Sequence, residues 1–292
     1  MTSAIATGAH RGHPRGHPPG TAPATPAAER WIGRFRYYLP AVIVFAGTIA
    51  AWEVAVRNID LRGFPLPAPT DIVAALVENW AEGRWPLGKA AAATLFEALG
   101  GLTIGTLLGV ALAFLTARFT TARELLLPLA IGASAVPIIA FAPLMNNWFG
   151  VLNPLSKMMI VAVLVFFPVV VNVTRGLTQV EPAALELLRS YAASDWTVLR
   201  VLRLPNALPY FFTALKIGTT LSLIGAIVGE YFGGSSEVLG RVVVQSASAL
   251  RFDVTWAAII MAAVTGIIMY LAVVAIERAV IPWHASLRSQ EP

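Results

Sequence analysis

The chain has 292 residues, of which 57% are hydrophobic and only 13% charged, against about 25% charged in ordinary soluble domains, so long stretches cannot face water and a soluble enzyme is excluded. Cysteine is absent, which removes disulfides, thiolate metal sites and thiol nucleophiles together. The formal net charge of +5 would suit nucleic acid only if it were gathered on one face, because in a membrane protein basic residues mark the loops.

Residues 1–29 are rich in Pro, Gly and Ala with no apolar period, and read as a disordered cytoplasmic tail. His10, His13 and His17 lie among Gly and Pro there and are not expected to hold a metal; no metal site is expected elsewhere. Residues 30–292 form the membrane domain. A helix needs about 20 largely apolar residues to cross a bilayer, and six stretches qualify, at about 37–56, 90–117, 125–144, 156–174, 207–229 and 254–276. With the N-terminus inside, thirteen basic residues fall in inside segments, seven in outside segments and Lys216 within a span. That bias places both termini in the cytoplasm and scatters the charge over several loops, so no nucleic-acid partner is expected.

Within the spans, Gly101, Gly105 and Gly109, and again Gly225 and Gly229, repeat every four residues. Small residues at that spacing let helices approach closely, either inside one subunit or between two copies. Glu97 is the carboxylate placed most like a proton relay, but it lies near Lys89 and its own helix start, where snorkelling or a helix contact explains it. Pro137 and Pro143 flank an apolar run leading to Asn146, Asn147 and Trp148, and prolines at membrane depth break helices where a cavity is lined. Pro137, Asn146, Asn147, Lys216 and Glu230 are therefore the candidate residues of a translocation path.

Between the fourth and fifth stretches, residues 181–218 read as two short helices. Pro182 suits a first helical position, with Leu185, Leu188 and Ala192 on one face; Ser194 is a good N-cap, with Val198, Leu199 and Leu202 on the next face before Pro205 ends the helix. Such an amphipathic elbow suits a groove on a soluble partner or the lipid surface equally.

Glu186, Ala192, Leu202, Leu204 and Pro205 stand at the spacing of E-A-A, a Gly four residues on, then I-x-L-P. This resembles the EAA loop of bacterial ABC-importer permeases. Leu187 and Leu188 stand in place of the alanines. Ala192 stands in place of the Gly, which leaves the bend without the residue that bends most cheaply. The segments LPAPTDIVAAL (66–76), PLAIGASAVPIIAFAPLMNNWFG (128–150), FFPVVVNVTRGL (166–177) and IGAIVGEYFGG (224–234) are, in this order, similar to the nitrate, sulfonate and taurine branch of these permeases, which also includes importers of thiamine-pyrimidine precursors. The resemblance implies an all-α protein of the bacterial inner membrane, with six transmembrane helices and a cytoplasmic coupling-helix elbow between helices 4 and 5. It further implies a second permease copy, a cytoplasmic ABC ATPase subunit, an external solute-binding protein and a lipid surround. In that family the elbow, here Glu186 to Pro205, couples to the ATPase.

No Walker A loop is present, since the one Gly-Lys pair, Gly88 with Lys89, is followed by Ala90. The chain is therefore expected to bind no cofactor and to perform no catalysis, with ATP consumed by the partner subunit. The solute is expected to be a small anion of the nitrate, sulfonate or taurine kind, or a thiamine-pyrimidine precursor.

Overall fold

A computed structural model describes residues 27–58, 66–134 and 136–282. The tail with its three histidines lies almost wholly outside the described residues, and α1 (Ala27–Asn58) already begins at Ala27. The fold has two units, Met1–Trp52 and Glu53–Pro292, so that α1 ends inside the second. In that second unit follow α2 (Pro69–Glu78), α3 (Leu87–Arg118), α4 (Thr120–Ala133), a 3-10 turn (Ile138–Ala140), α5 (Phe141–Phe149) and α6 (Pro154–Thr178). Then come α7 (Pro182–Ser190), α8 (Asp195–Val198), a π turn (Leu199–Arg203), α9 (Leu204–Tyr231), α10 (Leu239–Ser248) and α11 (Phe252–Val280). No strand occurs among the described residues.

Among the described residues, five helical segments are long and apolar enough to cross a membrane: Tyr38–Asn58, Leu87–Arg118, Pro154–Thr178, Asp195–Tyr231 and Phe252–Val280. The stretch expected at 125–144 as one continuous span is instead broken. The α-helix ends at Ala133 and resumes only at Phe141, with Pro137 immediately before the 3-10 turn. Proline removes a backbone donor and turns the residue before it away from helical geometry, which is the physical reason for the break.

The core of the second unit is α6, held between α3 and α9. Val161, Val165, Val169, Val173 and Leu177 repeat every four residues along α6 and are all buried. Lipid tails are as apolar as these side chains, so burial alone does not drive the helices together; close packing must. The glycine stripe of α3 provides it. A Cβ at Gly101 would stand 2.3 Å from the Val161 Cβ, and one at Gly105 would stand 2.5 Å from the Ala162 carbonyl oxygen. Gly109 of α3 faces Val169, while Gly225 and Gly229 of α9 face Leu164 and Ile160 from the other side. These five glycines thus lie at helix seams inside one chain. Thr116 and Thr174 add a hydroxyl hydrogen bond of 2.8 Å between α3 and α6.

Candidate functional site

The elbow occupies one end of the bundle, where α6 finishes and α9 starts. Helix α7 ends in the way its sequence left open: Ala192 itself adopts φ 53°. The Ala192 N–H donates to the Arg189 carbonyl at 2.9 Å and the Ala193 N–H to the Leu188 carbonyl at 3.0 Å. This pair of bonds closes the helix around a left-handed residue, a place glycine normally takes because a Cβ there costs about 1–2 kcal/mol. Ser194 caps the next helix, its Oγ accepting from the Thr197 N–H at 3.3 Å.

Pro205 does not end that helix. The chain stays helical from Asp195 to Tyr231 because Leu199–Arg203 widens into a π turn, and Pro205 falls in the first turn of the renewed α-helix. The wider turn accommodates the ring and the missing donor. The apolar ridge is also rotated from the expected one. Val198 is buried, while Leu199 and Leu202 are half-buried and Leu199 packs on the chain's own core. The side chains left exposed are Leu187 (57%), Tyr191 (77%), Trp196 (67%) and Val201 (61%). Glu186 is exposed beside them, and Leu204 is half-buried against the core.

Asn206 fixes this segment at its root. Its Nδ2 donates to the Gly176 carbonyl at 2.8 Å and the Gln179 carbonyl at 3.1 Å, so the beginning of α9 is tied to the end of α6. A single Asn after Pro carries no pattern that would have singled it out.

A cavity of about 450 Å³ lies among α4, the break that follows it, α6 and α9. Phe141, Phe167, Pro168 and Leu221 line it together with the polar Ser134 and Asn172, and no charged side chain does. None of the five sequence candidates for a translocation path lines this cavity. Pro137 and Asn147 are exposed nearby in sequence. Asn146 is only 5% exposed, on α5, with both polar side-chain atoms lacking a hydrogen-bond partner. Lys216 is committed to Glu277 of α11, with Nζ to carboxylate oxygens at 2.9 and 3.0 Å.

Glu230 belongs to a buried cluster at the end of the bundle opposite the elbow. Its Oε2 accepts the Gly240 N–H at 2.6 Å at the start of α10, and the adjacent Leu239 N–H donates to Thr94 Oγ1 at 3.0 Å. The carboxyls of Glu230 and Glu97 face each other and Lys157, whose Nζ donates to the Val151 carbonyl. Glu97 is thereby a helix contact across α3, α6 and α9. Each of the three residues is at most 5% exposed.

With this geometry in place, the likeness to known proteins is informative. The family model described as "Binding-protein-dependent transport system inner membrane component" matches residues 105–282. A probable ABC transporter permease protein of Haemophilus influenzae is 28% identical over 235 residues, covering 80% of this chain and 94% of that protein. The formylaminopyrimidine transport permease protein ThiX of Halalkalibacterium halodurans is 29% identical over 249 residues, 84% of this chain and 96% of that one. The taurine transport system permease protein TauC of Escherichia coli is 28% identical over 257 residues, 85% and 92% of the two chains. Among solved structures, a chain of the MetNI methionine ABC transporter in inward-facing conformations aligns with a TM-score of 0.52 at 19% identity, over 74% of this chain and 99% of that one; at that identity the likeness concerns the fold.

Proposed function

This chain belongs to the family of binding-protein-dependent transport system inner membrane components, and from that premise we propose how it works. It is the transmembrane permease subunit of an ABC importer and is not an enzyme. It binds no cofactor. ATP is bound and hydrolysed by a cytoplasmic ATPase subunit, and an external binding protein delivers the solute.

The elbow is the ATPase contact. The observation that carries this is a row of four large exposed apolar side chains, Leu187, Tyr191, Trp196 and Val201, beside Glu186. Large apolar groups in water on a short helical segment mark a protein interface. The segment is held at its root by Asn206, so force applied to it is delivered to α6 and α9 together. Both termini and the elbow are cytoplasmic, and the broken stretch from α4 through α5 makes up a sixth crossing. Two copies assemble, and ATP-driven approach of the two elbows shifts each bundle between inward- and outward-facing states.

The cavity beside α4, α6 and α9 is this subunit's share of the path. A volume of about 450 Å³ suits a small organic molecule. Two aromatic walls, a hydroxyl and a carboxamide with no cation suit a nearly neutral heterocycle of the formylaminopyrimidine kind better than a sulfonate. A bare anion entering that lining would lose hydration without gaining a counter-charge.

Co-expression with the genomic neighbours and purification in mild detergent tests the elbow. An ATPase co-elutes with the wild-type chain, and Glu186→Arg releases it while the permease stays in the membrane; co-elution unchanged by that substitution overturns the assignment. Uptake into proteoliposomes loaded with ATP tests the solute. A formylaminopyrimidine is taken up and taurine is not, and Phe167→Ala slows that uptake; the reverse preference overturns the solute class.

A further inference from the structure

A second cavity, of about 600 Å³, lies at the elbow end of the bundle between the tips of α3 and α4 and the helix α8. Three arginines line it: Arg118 at the end of α3, Arg123 in the first turn of α4 and Arg203 at the end of the π turn. Asp195 is the one acid in the lining. Three cations elsewhere are held in ion pairs, Arg57 with Glu53 and Asp71, Arg251 with Asp253, and Lys216 with Glu277. Among the described residues, none of these three arginines has an ion pair; Arg118 rests over the Phe119 ring at 5.7 Å. The Nε of Arg203 is buried with no hydrogen-bond partner. Arg123 stands in the first turn of a helix, the end at which the backbone dipole disfavours a cation. Three arginines, none in an ion pair among the described residues, thus line one hollow against a single aspartate.

We propose that this cavity binds a phosphate-bearing anion, and that the headgroup of an acidic phospholipid is the occupant the surroundings favour. Guanidinium groups match phosphate oxygens in paired hydrogen bonds and remain charged throughout, which makes a converging arginine set a phosphate receptor. Phe114 lines the same cavity, and Leu115 and Phe119 beside it are exposed. A lipid therefore meets the arginines with its headgroup and this apolar surface with its tails, as in basic pockets between membrane helices. The assignment is independent of which solute is carried.

The test uses the assembled transporter in bilayers of phosphatidylcholine and phosphatidylglycerol at three to one, with the lipids that survive purification counted by mass spectrometry. Phosphatidylglycerol is enriched over its bulk share. Arg118→Gln with Arg123→Gln lowers the site's affinity for phosphatidylglycerol relative to phosphatidylcholine by about 25-fold, at about fivefold for each charge near an acidic headgroup. Arg118→Lys with Arg123→Lys keeps most of it. Should the Gln pair fail to assemble, Arg123→Gln alone is read at about fivefold. In a second arm inorganic phosphate is titrated against thermal unfolding. A rise in Tm that the Gln pair abolishes, without phosphatidylglycerol enrichment, assigns the site to a soluble phosphate. Equal enrichment in wild type and the Gln variants, with no phosphate effect on Tm, overturns the proposal.

Discussion

The two ends of the helix bundle use charged and apolar residues in opposite ways. At the end opposite the elbow, Glu97, Lys157 and Glu230 are buried and face one another, and Glu230 also accepts the backbone of α10. At the elbow end, Arg118, Arg123 and Arg203 have no ion pair among the described residues, and Leu187, Tyr191, Trp196 and Val201 stand in the open. The first arrangement turns its charged groups inward and joins α3, α6 and α9, although Glu97 Oε2 and Glu230 Oε1 lack a hydrogen-bond partner. The second leaves its apolar and cationic groups open, and it is the end to which the proposed ATPase and lipid contacts are assigned.

Four substitutions break or sharpen that contrast. The largest effect belongs to the closed end. Lys157→Met leaves two facing buried carboxyls without their cation and costs about 3–5 kcal/mol, seen as a lower unfolding temperature in detergent; adding Glu97→Gln restores part of it. An unchanged Tm for Lys157→Met would show that the cluster carries no structural load. Between the ends, Gly105→Ala drives a Cβ to 2.5 Å from the Ala162 carbonyl oxygen and costs about 1–3 kcal/mol as α3 is pushed from α6. The same scan reads it, and a neutral result would mean the seam yields freely.

The open end behaves otherwise. Leu187→Ala with Tyr191→Ala alters stability by less than about 0.5 kcal/mol, as exposed positions do, yet lowers transport-coupled ATP hydrolysis at least about tenfold if these side chains anchor the ATPase. A loss of stability matching the loss of coupling would place them in the bundle's own packing. The smallest effect is a gain: Ala192→Gly relieves the left-handed Cβ and, after the added entropy of the unfolded chain, stabilises by about 0.5–1 kcal/mol. A lower Tm for that variant would mean the bend is not strained.

Much of this was legible in the sequence because its signals are local. Apolar length fixed where most spans fall, since a bilayer demands about 20 apolar residues in a row whatever their neighbours. The two helix starts after α6 followed from Pro182 and Ser194, whose roles at a helix N-terminus depend only on adjacent backbone. The exposed ridge did not follow, because docking on the core decides which face of a short helix is covered: Val198 and Leu199 turn inward, and Trp196 and Val201 outward. The break in the third stretch was foreshadowed by Pro137 and Pro143, but a proline marks only where a helix is weakened, and packing decides whether it parts.

By itself the sequence determined that this is an all-helical membrane protein without cysteine or Walker chemistry. That conclusion rests on composition and on patterns along one chain, whereas the coupling role of Glu186 to Pro205 is what a family resemblance implies. Tertiary structure decided which charges meet. Glu97, Lys157 and Glu230 are up to 133 residues apart, as Lys216 and Glu277 are 61, and only the packing of α3, α6, α9 and α11 brings such groups together. It also decided which charges do not meet, leaving three arginines around a hollow. Coulomb interaction depends on distance in space, and sequence separation does not carry it.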